Sequence, residues 1–579
     1  MPETSQITPV AFNCEGGLVL NKSTFLMQPG EALELQNFEP DIGGGYRRIS
    51  GFNKYINHIV PQTTSSSEAV LMCTVFSDKI LAARGEKIWS SASTTMTIAI
   101  VANTSMTGSG TINVSSTTGF TASGTLQINS EIFTYTGVTA STFTGVTRAV
   151  SSTTAAAHEI FLNQINTVVS ESWTLRDTGR TSAAKYNFEK FNYNGSNKII
   201  VVDQDNAPTV FNTSFAATDV SESAVAGAKF VTSFKGHMFY AGMSSTPEEL
   251  VFSSPFNEDD FQSGQGAGSI RVDDTIVGIK TFRENLFIFC ENRIFSLSGT
   301  SSANFAIAPV TRNIGCINGD TIQEFAGDLI FLGPDGLRTV AGTAKIGDVE
   351  LGTISTNVQP IFDDQIDDAV AFESIVIPDK TQYRIFFTKE GQADSLTSGV
   401  ICVRKGQGYE FSETKGLKPA CTDTIVDVGD VLVLHGDYTG YVNRQEVGND
   451  FDGTVIFGKY RSPDLSFNDL GIRKHMQRVI INYKPESAID ADLFLRYDQE
   501  SAESSRPAAY PLDSSAVAAQ YGVAIYGATG TYGGTTQPSV RQSVEGSGFT
   551  IALRVNDGGL TAPYSLKGFQ LEYQIGARR

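Results

Sequence analysis

"ENLFIFCENRIFSLSG" (Glu284 to Gly299) and "GDLIFLGPDGLRTVAG" (Gly327 to Gly342) share one layout: an apolar run, a short polar break, a second apolar run and a closing glycine. Each reads as a β-hairpin, because short runs rich in Ile, Leu, Phe and Val bounded by turn residues favour strands. Related layouts occur in "VLMCTVFSDKILAARGEKIWSSA" (Val70 to Ala92), "NKIIVVDQDNAPTVFNTS" (Asn197 to Ser214), "AKFVTSFKGHMFYAGM" with "ELVFSSPF", "YRIFFTKEG" with "GVICVRKG", and "DVLVLHGDYTGYVNRQE". Aligned at Ile199, Met238, Leu286, Leu329, Tyr383 and Val431, the units step by 39, 48, 43, 54 and 48 residues. A period of this size with a few strands per unit predicts a β-propeller. A small sheet buries both faces only against radial neighbours, and a closed ring protects its edges. Seven units fit between Asp41 and Glu446, with six or eight as the neighbouring counts; a string of β-sandwiches is the competing architecture. Trp89 and Trp173 are the two tryptophans and neither precedes Asp, so this is no WD repeat; kelch and sialidase marks are also missing. The propeller is a degenerate one.

Composition agrees with an all-β chain. Charged residues make up 18% of the 579, below the roughly 25% of an average protein, while Gly (55) and Phe (37) are abundant. The length calls for two or more domains. A net charge of −19 disfavours gripping nucleic acid through its phosphates, since that affinity comes from cations. It is compatible with a surface past which DNA slides. Six scattered cysteines without a CxxC pair form no disulfide framework and suggest synthesis in a reducing compartment. The N-terminal stretch lacks the features of a signal peptide, and no apolar window is long enough to give a membrane-spanning segment.

The texture divides the chain into an N-terminal arm (1–40), a propeller (41–90 and 158–446), an inserted Ig-like or small β-module (91–157) and a C-terminal β-sandwich (447–579). The insert is rich in Ser, Thr, Gly and Ala. In "TLQINSEIFTYTG" the alternation places Leu126 and Ile128, then Ile132 and Thr134 across a turn, on one face. The best helix lies in "STNVQPIFDDQIDDAVAF", where Val358, Ile361, Phe362, Ile366 and Ala369 share a face.

Catalytic and ligand-binding patterns are sparse. The five histidines lack zinc spacing. "DDQIDD" (Asp363, Asp364, Asp367, Asp368) and "NEDDF" (Glu258, Asp259, Asp260) lack a calcium-loop layout and read as acidic lumen or surface patches. "EPDIGGGYRRISGF" (Glu39 to Phe52) reads as a glycine-rich turn entering a strand rather than a phosphate cradle, and no P-loop occurs. No catalytic residues, metal site or cofactor are expected. "AQYGVAIYGATGTYGG" (Ala519 to Gly534) sets Tyr521, Val523, Ile525, Tyr526 and Tyr532 among glycines, which suits either a surface hairpin or a bending loop that packs on copies of itself and gates a channel.

Several of these stretches together resemble one family. "NFEPDIGGGYRRISGF", "FKGHMFYAG" with "ELVFSSPFNEDDF", "IVGIKTFRENLFIFCENRIFSLSG", "VTRNIGCINGDTIQEFAGDLIFLGPDGL", "GTVIFGKYRSPDLSF" and "FQLEYQIGARR" are similar to the tail nozzle (tail tubular protein B, or hub) of short-tailed podovirus-type phages. The insert resembles a small β-module that recurs in phage tail proteins, although it is not general in the family. The resemblance implies a non-enzymatic virion protein, assembled in the host cytoplasm. It would form a homohexameric ring at the distal end of the tail, beneath an adaptor and beside fibres or other tail proteins. Double-stranded DNA would pass through it during ejection. The alternative is a phage tail receptor-binding or polysaccharide-degrading protein, against which two Trp in the whole chain count as a poor sugar-stacking supply.

Overall fold

The protein is described from a computed structural model. It covers residues 7–62, 68–99, 110–114, 117, 120, 122–128, 131–150, 153, 155, 164–181, 185–340, 353–393, 396–406, 408–427, 430–467, 469–486, 489–499, 507–512 and 539–578. The chain is all-β.

Among the described residues, seven sheets follow one another along the chain. Sheet 1 holds Val70–Phe76, Lys79–Arg84, Lys87–Ala99 and Gln164–Thr178; sheet 2 holds Asn187–Tyr193, Ser196–Val202, Thr209–Asn212 and Ala217–Asp219. Sheet 3 holds Phe230–Phe234, His237–Ala241, Glu249–Phe252 and Gly268–Arg271; sheet 4 holds Ile276–Phe282, Asn285–Cys290, Ile294–Ser298 and Ala306–Thr311. Sheet 5 has three strands, Gln323–Phe325, Asp328–Gly333 and Gly336–Thr339. Sheet 6 holds Ala369–Ile377, Gln382–Lys389, Ser398–Lys405 and Gly408–Lys415. Sheet 7 holds Cys421–Asp427, Asp430–Gly436 and Val442–Gln445, and takes Phe52–Lys54 as its fourth strand.

Each sheet shares an apolar cluster with the next, and the seventh shares one with the first. The second strands show why. Side chains alternate faces along a strand, so Leu329 and Phe331 pack towards sheet 4 while Ile330 and Leu332 pack towards sheet 6. Likewise Ile199 faces sheet 1 and Ile200 faces sheet 3. A strand buried on both faces must be a continuous apolar run, which is the pattern of the opening hairpins. All six aligned positions, Ile199 to Val431, fall in the second strands of sheets 2 to 7.

The last strands make two layers of a sandwich. Tyr564–Arg578 pairs with Ile472–Pro485, which pairs with Ser539–Ser543; facing them, Gly458–Arg461, Ile551–Asp557 and Ala491–Tyr497 form the second layer. Val479, Ile481, Phe569 and Leu571 pack against Leu493, Leu495, Leu553 and Val555 between them. The hairpin Asp450–Phe451/Thr454–Val455 belongs to sheet 7, so the sandwich starts at Gly458, later than the boundary at 447.

Where the sequence suggested an arm over 1–40, the described part from residue 7 is woven into the fold. Ile7–Asn13 lies antiparallel along Gly568 to Gln574 of the last strand. Glu34–Gln36 sits between Gly408–Lys415 and Gly458–Arg461, fusing sheet 6 and the sandwich into one nine-stranded sheet. The rings of Phe12, Phe569, Tyr460 and Tyr46 touch in series, with centroids 5.5 to 5.7 Å apart, and Tyr460 stacks on Phe569. Glu39 is buried and takes Arg47 at 3.0 Å, Lys380 at 2.6 Å and Arg384 at 3.1 Å; Arg47 continues to Glu486 at 2.7 Å. Those three cations outweigh burial and hold the Glu39 carboxyl down at about 2.

The insert rides on the long pair Lys87–Ala99 and Gln164–Thr178, which extends out of sheet 1. It therefore returns at 164–178 rather than ending at 157. Its own cluster joins Ile112, Val114, Leu126, Ile128, Phe133, Tyr135, Phe143 and Val146. Here the expected face was out of register. Ile128 pairs with Glu131 and Leu126 with Phe133, so Glu131, Phe133 and Tyr135 point inward and Ile132 and Thr134 do not. Residues directly opposite in an antiparallel pair lie on one face, and a slip of one residue inverts it. Glu131 is buried because Arg148 meets it in a two-pronged contact at 2.6 and 2.9 Å. The predicted helix forms at Gln359–Ile366, with Val358 and Phe362 buried and Ile361, Ile366 and Ala369 packed beside them.

Candidate functional site

The first strands of the seven sheets converge on a central cavity of about 380 Å³, to which every sheet contributes. Six of these strands, "VLMCTVF", "NFEKFNY", "FVTSF", "IVGIKTF", "AVAFESIVI" and "CTDTIVD", interrupt their apolar runs with polar residues, and the short "QEF" opens on one. Those residues line the axis: Glu189 and Lys190 from sheet 2, Thr232 from sheet 3, Lys280 from sheet 4, Gln323 from sheet 5, Glu373 from sheet 6, and Thr422 and Asp423 from sheet 7. Cys73 lines it from sheet 1, Lys185 from the approach to sheet 2, and Asp320 from the turn before sheet 5.

The charges pair across the axis. Lys185 Nζ lies 3.1 Å from Asp320 Oδ2 and also contacts Glu373. The Thr422 hydroxyl stands 2.8 Å from Glu373 Oε1. Asp423 accepts from Thr74 Oγ1 at 2.6 Å and faces Lys190 at 3.5 Å. Glu189 accepts from Ser233 Oγ at 2.6 Å. Burial pushes the Glu373 carboxyl up to about 7: it outweighs the pull of Lys185, and Asp320 adds repulsion. Burial opposes the Lys185 ammonium, but the two carboxylates together raise it above its usual range. Glu189 is also raised, by burial, against the opposing Ser233 hydrogen bonds and Lys280. Among the described residues no three of His, Cys, Asp and Glu gather as a metal-holding group.

The acidic patches named from sequence lie elsewhere. Asp363, Asp364, Asp367 and Asp368 are exposed on and just after the helix, where Lys389 pairs with Asp364 at 3.5 Å and Asp368 at 3.2 Å. Glu258 is buried and paired with Lys198, so it is no part of an open acidic surface. Asp259 and Asp260 accept from the Ser221 amide at 3.0 Å and the Ser254 hydroxyl at 2.9 Å, tying down their loop. None of the seven lines the axis. Tyr521, Val523, Ile525, Tyr526 and Tyr532 lie outside the described residues. Arg48 is fully buried: its guanidinium meets Asp557 at 3.4 Å and carbonyls of Thr561 and Gly559 at 2.6 and 2.9 Å. With Arg47 on Glu39 and Glu486, the glycine-rich turn presents no free cradle for phosphate.

No family model matches the sequence, and no curated protein matches it. Among solved structures, the chain is similar to Chaetomium thermophilum Raptor at 8% identity and a TM-score of 0.31, over 72% of this chain and 29% of that one. It is similar to an exo-β-1,3-galactanase from Phanerochaete chrysosporium at 9% identity and a TM-score of 0.23, over 80% of this chain and 100% of that one. It is also similar to a quinonprotein alcohol dehydrogenase-like protein from Bacteroides thetaiotaomicron at 7% identity and a TM-score of 0.27, over 60% and 89%. Likeness at this level carries no functional argument.

Proposed function

We propose that this chain is a structural subunit of a short phage tail: the nozzle at its distal end, a homohexameric ring beneath the tail adaptor through which genomic DNA is ejected. The resemblance of its turn-and-strand stretches to that family supports this reading. The observation that carries the structural role is the interlock of the two ends of the chain. Ile7–Asn13 lies along the final strand, Phe52–Lys54 completes sheet 7, and Glu34–Gln36 joins the ring to the sandwich. A wall that must withstand moving DNA needs its domains tied in this way. The cavity inside the ring of sheets has small-molecule dimensions and is crossed by ion pairs. In this reading the DNA path therefore lies between copies, around the axis of the assembly. A net charge of −19 disfavours adhesion of phosphates to the chain.

The test is a phage carrying a nonsense codon in this gene, grown without suppression. Its particles are expected to keep head and adaptor but to lack the distal tail and to deliver no DNA. Infectious particles with complete tails would refute the proposal.

One observation favours the polysaccharide-degrading alternative: Asp320 and Glu373 flank one point of a cavity, and burial raises the Glu373 carboxyl to about 7. A glycosidase needs two such carboxyls, but here Lys185 occupies both. Release of reducing ends from host polysaccharide by the purified chain, abolished in Glu373→Gln, would decide for that reading.

A further inference from the structure

Among the described residues, sheet 7 packs against sheet 1, and three of its strands, from Cys421 to Gln445, come from the far end of the ring in sequence. Cys73 of Val70–Phe76 and Cys421 of Cys421–Asp427 face each other at this seam, with their sulfurs 3.5 Å apart and their positions 348 apart in the chain. Both side chains are buried. We propose that Cys73 and Cys421 are a cross-linking site, at which a two-electron thiol oxidant joins them as a disulfide that closes the ring covalently. The two S–H bonds break, one S–S bond forms, and two protons and two electrons pass to the oxidant. Hydrogen peroxide would leave as two waters, and diamide as its hydrazine.

The geometry needs a small change. A disulfide bond is about 2.05 Å long, so the sulfurs must approach by about 1.5 Å from their separation of 3.5 Å. The absence of a side chain at Gly436 lets Cys421 sit where it does: a Cβ there would stand 2.7 Å from Cys421 Sγ and 2.7 Å from Val70. The main chain also joins the two sheets, since Phe52–Lys54 of sheet 7 is followed in sequence by Val70–Phe76 of sheet 1. Around the thiols, Val70, Ile80 and Ala82 pack on Leu434 and Val442, Thr74 donates to Asp423 at 2.6 Å, and the Val70 amide donates to the Asp437 carbonyl at 2.9 Å. The Cys421 thiol, burial, and the carboxylates of Asp423 and Glu373 push the Cys73 thiol well above its usual range. A thiolate is the reacting species, so oxidation is slow and proceeds when the seam opens. Reduced chains thus keep a seam that can open during folding, and oxidised chains lose it. A cross-link over so long a loop removes a large share of unfolded-state freedom. The inference holds whether or not the chain is a tail protein.

The other four thiols are placed differently. Cys316 donates its amide to the Cys290 carbonyl at 2.9 Å, but its sulfur points to the Asn318 carbonyl at 3.3 Å. Cys14 and Cys402 lie in the cluster shared by the sandwich and sheet 6.

The experiment uses the full chain, purified under reductant and then exposed to diamide. Free thiols are alkylated in denaturant, and the digest is read by mass spectrometry. The expected result is a Cys73–Cys421 linked peptide and four alkylated thiols of the six. The melting temperature should rise by roughly a few degrees, return on reduction, and stay unmoved by diamide in Cys73→Ala and Cys421→Ala. Six alkylated thiols after oxidation, or a link made through another cysteine instead, would overturn the site. A Cys73–Cys421 link without a rise in melting temperature would overturn its ring-closing role.

Discussion

Glu373 and Glu39 are both buried carboxyls beside cations, yet they move in opposite directions. Glu39 faces three cations and is held at about 2; Glu373 shares a single lysine with Asp320 and rises to about 7. The pH dependence follows with opposite signs. For Glu373 the folded value lies above the ordinary 4.5, so its contribution is full below about pH 4.5 and is lost as pH rises through about 7. Replacing it, as Glu373→Gln, should flatten the fall in stability between those limits, a change on the order of 3 kcal/mol or less, read by chemical denaturation across pH. For Glu39 the stabilisation is present above about pH 4.5 and is lost as pH falls towards about 2. Glu39→Gln leaves Arg384 short of a buried partner and should cost about 3 kcal/mol at pH 7, with the difference from wild type shrinking on acidification. An equal deficit at both ends of the range would contradict the ion-pair account. At this scale the sequence carried a signal: the polar residues set within strands such as "NFEKFNY" and "AVAFESIVI" are those that reach the axis. They are legible only once the strand order is known, because carboxylates in a run such as "DDQIDD" draw the eye and prove to be solvated.

At the scale of elements, the second strands were readable because burial on both faces writes an unbroken apolar run, as in Leu329 to Leu332. The N-terminal pairings were not. Glu34–Gln36 and Phe38–Pro40 are three residues long, and the first of these finds its partners hundreds of residues away, at Gln36 with Glu413 and Leu35 with Tyr460. Nothing local marks such a strand. The docking of this segment is tested at Gly51, where an added Cβ would stand 1.7 Å from the Asp450 carbonyl oxygen. Gly51→Ala should therefore displace Phe52–Lys54 from sheet 7 and cost about 2 kcal/mol or more; an unchanged melting temperature would mean that this strand closes nothing. The insert makes the converse prediction, because its core is separate from those of the ring. Ala92 pairs with Ser172, so replacing residues 93–171 by an Asn-Gly turn should leave the unfolding of the remaining chain within about 1 kcal/mol of the parent. A shortened chain that fails to fold would show that the insert supports sheet 1.

For the whole molecule, the ring of sheets, the sandwich and the N-terminal strands form one interlocked unit, whose central cavity is crossed by ion pairs. The proposed nozzle thus depends on copies arranged around a common axis, which requires head-to-tail contacts that close under cyclic symmetry. The most direct test is to count and place the chain in purified virions by electron microscopy, with the protein identified in the map from its seven sheets and sandwich. The account predicts a closed ring of about six copies at the distal end of the tail, with the DNA path between them. A single copy per particle, or a location away from the tail axis, would contradict it.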